Sequence, residues 1–146
     1  MKLVYSDRYL VDIGPHVFPT AKYRLVRDAV LSSGLVVPAE ILEPAAASWE
    51  TLALVHEPEY LERARSGGFS SSDLALLELP WSSEAAEGFR VMTGGTVLAA
   101  RMAVADGARI GRHRPTPADD AGAPLAVSAN LGGGFHHAFP SHGEGF

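Results

Sequence analysis

His136 and His137 are adjacent and directly follow the run Gly132, Gly133, Gly134 and Phe135. Histidine changes charge near neutrality. Two of them at one place can therefore divide proton transfer between a neutral acceptor and a protonated donor, once their surroundings push the two pKa values apart. Acid–base chemistry is what this pair could perform; the competing reading is a chance pair of loop histidines with no role. The glycines also suggest an anion cradle, but "NLGGGF" lacks both GxGxxG spacing and a following GK[ST]. His142 and Glu144 form an H-x-E without an HExxH helix or a third ligand at a recognisable spacing, so they read as turn or supporting residues. The chain has no cysteine, which leaves His, Asp and Glu as the only ligands for a metal.

Such a pair needs a frame. In open parallel sheets, ligands bind beyond the carboxyl ends of strands, and glycines there let the backbone come close to a ligand. "LAVSAN", Leu125 to Asn130, reads as a short buried strand that runs straight into the glycines. Upstream, Lys2 to Tyr5 is β-prone, and "VVPAEILEP" is a second strand candidate interrupted by Pro38. Between these lie helical patterns. One starts after Thr20 as N-cap and closes at Gly34, with Tyr23, Val26 and Val30 on one face. "SWETLALVHEPEYLERARSGG" predicts two short helices joined at His56, with Ser48 as cap, Pro58 in a first turn and Gly67 closing. "SSSDLALLELP" predicts another short helix, and the longest pattern runs from Ser83 to Gly107. Gly94 and Gly95 inside it should each cost about 1 kcal/mol relative to alanine, which suggests a close helix-to-neighbour contact; the competing reading is a plain tolerated weakness. "ARIGRHRPTPADDAGAP" then reads as a loop whose Arg109, Arg112 and Arg114 are ordinary solvated charge. Strands alternating with helices of this length predict an α/β fold with a parallel sheet.

Composition bounds the function classes. A chain of 146 residues with 47% hydrophobic and 20% charged residues is that of one globular domain. A net charge of −5 without clustered Lys and Arg argues against direct nucleic-acid binding. There is no apolar run of the length a signal peptide or membrane span needs, and the default expectation is a cytoplasmic protein.

"NLGGGFHHAFPSHGEGF", together with "HVFPTAKYRLVRDAV" and "LVHEPEYLERARSG", resembles the histone deacetylase family, and is similar to its bacterial and class IV members over nearly the whole chain. The resemblance implies a three-layer, arginase-like α/β fold with a parallel sheet, and a zinc-dependent hydrolysis of acetylated lysine or a related acetylamine. By the same resemblance, His136 and His137 match the tandem histidines that act as general base and as electrostatic or general-acid partner. Gly132 to Gly134 match the turn that places them. Gly134, Gly145 and Phe146 match the substrate side, the aromatic flanking the acyl-lysine stem in its channel. His56 and Tyr60 also match family positions and are expected to pack. The family's zinc ligands, an Asp-x-His and a further Asp, lie beyond the Gly-x-Gly-Phe element. No Asp-x-His occurs in this sequence, so no metal ligand is assigned here. Residues 1–146 are accordingly expected to be the N-terminal part of one deacetylase domain, with an uncovered sheet edge after Asn130 and a tendency to self-associate. The alternative is an inactive truncated remnant or a binding module.

Overall fold

The computed structural model describes residues 1–112, 127–133 and 136–145. Three short strands form one sheet: β1 (Lys2–Val4), β2 (Ile41–Leu42) and β3 (Ser128–Asn130), in the order β2-β1-β3 and all parallel. Leu3 is paired with Ile41 on one side and with Ala129 on the other. Parallel neighbours require crossovers, and the helices supply them. These are α1 (Ala21–Ser32), α2 (Trp49–Leu52), α3 (Pro58–Ser66), α4 (Ser71–Leu77) and α5 (Ser83–Arg112). The expected α/β architecture with a parallel sheet is what the chain adopts.

Local chemistry explains most boundaries. The Ser48 hydroxyl accepts from the Thr51 amide at the start of α2, and Pro58 opens α3, where a missing N–H costs nothing. Ser70 and Asp73 cap α4 reciprocally. Gly67 ends α3 at φ 79°, and a Cβ there would also strike the Trp81 ring, so the turn and the close approach both require glycine. Thr20 precedes α1, but its hydroxyl donates to the Val11 carbonyl at 2.8 Å instead of capping the helix.

Four expectations are corrected. α5 continues through Gly107 to Arg112, since a glycine in the interior of a 30-residue helix costs only about 1 kcal/mol; residues 108–112, expected in the loop, are therefore helical. Arg114 and residues 113–126 lie outside the described residues. The strand predicted for Leu125 to Asn130 is seen only as Ser128–Asn130, with Leu125 and Ala126 outside the described residues. β1 ends at Val4, before Tyr5. On α1 only Tyr23 is buried, whereas Val26 is 46% exposed, since one aromatic ring suffices to dock this helix.

The core centres on three tyrosines. Tyr9 packs edge-to-face on Tyr5 at 5.8 Å and on Tyr23 at 6.0 Å between ring centroids. Val91 and Met92 of α5 close this cluster from the helix side. Gly94 and Gly95 meet the expectation of a close neighbour: a Cβ at Gly94 would land on the Ala45 carbonyl, and one at Gly95 on the Tyr9 hydroxyl.

Candidate active site at the end of the third strand

Asn130, the last residue of β3, organises the turn that follows. Its side-chain oxygen accepts from the Tyr9 hydroxyl at 2.8 Å and from the Gly132 amide at 3.2 Å. Its amide nitrogen donates to the Met92 carbonyl at 2.9 Å, to the Thr96 hydroxyl at 3.1 Å and to the Gly132 carbonyl. This Asx-type turn ties the glycine segment to α5 and to the tyrosine core. Gly132 lies so close to the Tyr9 ring that any Cβ would overlap it.

The chain re-emerges as a hairpin that the sequence did not predict. β4 (His137–Ala138) pairs antiparallel with β5 (Gly143–Glu144), which sets His137 opposite Glu144. Two-residue strands leave too short an alternation to be read as periodicity. Between this hairpin, α3, α4 and α5 lies a cavity of about 340 Å³. His136 and His137 both contribute to its wall, together with Gly133 and Gly143, and the aromatic rings of Trp49, Tyr60, Phe69, Trp81 and Phe89 line much of the rest. Its size is within the range of small-molecule sites. The guanidinium groups of Arg65 and Arg90 both lie over the Trp49 ring, at 4.7 and 4.6 Å from its centroid.

The two histidines occupy different surroundings. His137 is exposed, whereas His136 is partly buried. Burial pushes the His136 pKa below its ordinary value, and the neighbouring His16 and His137 push the same way; the backbone at Leu77 and the Glu78 carboxylate oppose the shift. The His16 ring centre lies 6.2 Å from that of His136. Nothing in the spacing of residues 16 and 136 pointed to this pairing.

Gly145, expected on the substrate side, is anchored by its amide donating to the Leu76 carbonyl at 2.9 Å, and a Cβ there would strike the Glu78 side chain. Gly134 and Phe146, assigned to the same side, lie outside the described residues. Glu78 was not singled out in the sequence. It ends α4 at φ 60°, the one non-glycine residue with positive φ among those described. Strain of this kind in a non-glycine residue concentrates at functional sites, and here the carboxylate sits beside Gly145. His56 does more than pack. Its ring lies 5.1 Å from Tyr60, and its Nδ1 is 2.8 Å from the Phe139 carbonyl. Among the described residues, no group of three or more His, Asp or Glu side chains could hold a metal ion.

The histone deacetylase domain model matches residues 16–146. The chain belongs to the histone deacetylase family. An uncharacterized protein of Picosynechococcus is 30% identical over 145 residues, covering 99% of this chain and 42% of its own length. Histone deacetylase 2 of Arabidopsis thaliana is 26% identical over 156 residues, with 100% of this chain and 35% of that protein covered. The acetoin utilization protein AcuC of Staphylococcus aureus is 28% identical over 149 residues, covering 98% and 35% respectively. The crystal structure of the HDA15 HD domain superposes with a TM-score of 0.62 at 20% identity, over 99% of this chain and 38% of that one. The fold is thus that of the histone deacetylase family, and the chain spans well under half the length of the relatives it matches. No helix among the described residues is long and apolar enough to cross a membrane.

Proposed function

We propose that this chain is part of a deacylase that hydrolyses the amide of an acetylated lysine or a small acetylamine, with His136 and His137 transferring the protons. The observation that carries the proposal is the placement of both histidines on the wall of one cavity just beyond the carboxyl end of β3, with surroundings unequal enough to separate their roles. Burial favours the neutral imidazole of His136, which suits it to accept the proton from an attacking water. The more exposed His137 is suited to return a proton to the leaving amine. Amide cleavage then yields a carboxylate and a free amine, with one water consumed.

Zinc dependence of the whole protein is part of the same proposal and rests on family membership. The described residues do not by themselves form a zinc centre. A cytoplasmic location belongs to the same expectation. The second reading is a non-catalytic binding module, and it differs in its outcome: acyl-lysine would bind without being cleaved.

The test uses a protein of family length that carries this chain. His136→Ala and His137→Ala are each expected to lower turnover of an acetyl-lysine reporter by about two to four orders of magnitude, the range for a positioned acid or base. Bound zinc should survive both changes. Full activity in either variant would end the acid–base assignment, and zinc lost with either would make that histidine a ligand. The 146-residue chain alone is expected to give neither stoichiometric zinc nor turnover, and detecting both would overturn that expectation.

A further inference from the structure

The hairpin that carries His137 is held from outside by α3 and the turn before it. The Phe139 carbonyl lies 2.8 Å from His56 Nδ1, the Pro140 carbonyl accepts from the Glu57 amide at 2.8 Å, and the Ser141 carbonyl accepts from the Arg63 guanidinium at 3.0 Å. Three successive carbonyls of one turn are thus met by three donors from residues 56–63. A carbonyl can only accept, so Nδ1 of His56 carries the hydrogen. Tyr60 supports the arrangement, with its ring against His56 and its hydroxyl where any Cβ on Gly143 would press.

We propose that His56 and Arg63 are positioning residues: they grip the turn between β4 and β5 and thereby place His137 at one end of the hairpin and Gly145 just past the other. The chemical reason lies in the geometry of the hairpin. His137–Ala138 and Gly143–Glu144 are paired over two residues only, too few to fix their own position, and the inner backbone bond of the turn runs from the Phe139 amide to the His142 carbonyl at 3.0 Å. The turn carbonyls face donors on α3 and on the turn that leads into it, and α3 is itself anchored by buried Leu61, so movement of the hairpin requires breaking bonds to that anchored segment. For His137 this grip matters because a proton-transfer group displaced by about 1 Å can lose on the order of a hundredfold in rate. The role of His137 rests on the deacylase reading; the grip itself does not.

The test compares His56→Phe, which keeps the ring against Tyr60 but loses the donor, with His56→Asn, whose side-chain amide can donate from nearly the same place as Nδ1. Arg63→Met removes the second donor. In the full chain, hydrogen exchange at the amides of Phe139 and Gly145 is expected to quicken by about tenfold in His56→Phe and Arg63→Met, and to stay near the parent rate in His56→Asn. Unchanged exchange in both donor-less variants overturns the grip. In the family-length protein, His56→Phe should lower kcat by roughly ten- to a hundredfold with KM little changed, and His56→Asn should recover most of it. Added to His137→Ala, His56→Phe should cost nothing further. Losses that simply multiply would show that His56 acts elsewhere and overturn its link to His137. A parent protein without turnover would instead overturn the deacylase reading, while the exchange result decides the grip on its own.

Discussion

The Tyr9 hydroxyl donates to the Asn130 side-chain oxygen at 2.8 Å, joining residues 121 positions apart at the point where the core becomes the site. Tyr9 is fully buried and Asn130 also holds the glycine turn, so this bond is both a core contact and a brace for the segment leading to His136. Tyr9→Phe is expected to cost about 1–2 kcal/mol, and Asn130→Ala about 2–3 kcal/mol because it also strips partners from Met92 and Thr96. Denaturant midpoints measure both, and equal losses would show that Asn130 serves Tyr9 alone.

Gly94→Ala and Gly95→Ala set two effects against each other. Helix propensity favours alanine by about 1 kcal/mol. The added Cβ would meet the Ala45 carbonyl at one position, and the Tyr9 hydroxyl and Asn130 at the other, and such overpacking costs about 1–3 kcal/mol. Both variants should therefore be less stable, with Gly94→Ala the worse because backbone cannot step aside as a side chain can. A gain in thermal midpoint for either would mean that the helix shifts freely.

Glu78→Gly should move stability the other way. A left-handed backbone at a non-glycine residue costs about 1–2 kcal/mol, part of which glycine returns through its greater freedom when unfolded. The expected net gain is about 0.5–1 kcal/mol, read from the thermal midpoint. A loss would show that contacts of the Glu78 side chain beside Gly145 outweigh its strain.

His136 makes stability depend on pH. Its pKa is lowered in the folded chain from the ordinary 6.5, so the unfolded chain binds more protons between the two values. Its contribution is complete above pH 6.5, declines as pH falls through the lowered folded value, and is constant below it. The difference in thermal midpoint between the parent and His136→Phe should therefore change across that window and be flat above it. A difference that is flat throughout would remove burial as the cause.

Large apolar side chains stand in solvent, among them Leu25 at 67% and Leu35 at 66% exposure. Apolar surface of this kind favours association. The 146-residue chain by itself is expected to sediment as a mixture whose mean mass rises with concentration, and a single monomeric boundary throughout would contradict this. Leu25→Lys together with Leu35→Lys should shift the mixture toward monomer.

Much of this molecule was legible before any coordinates. Helix ends at Ser48, Pro58 and Gly67 follow from interactions within a few residues, and such interactions are written in the local chain. The same holds for the family signature around His136 and His137, because residue types at fixed spacing are themselves sequence. The extent of α5 past Gly107, the hairpin, the left-handed Glu78 and the approach of His16 to His136 were not legible. The last two depend on residues far apart in the chain, where burial and steric room outweigh local preference, while the two-residue strands of the hairpin are too short to show a period. Even Gly94 and Gly95 of α5 announced only that something must come close. That the neighbours are Ala45, Tyr9 and Asn130 was settled by packing, since three segments had to meet at one helix face before the space without a Cβ had any use.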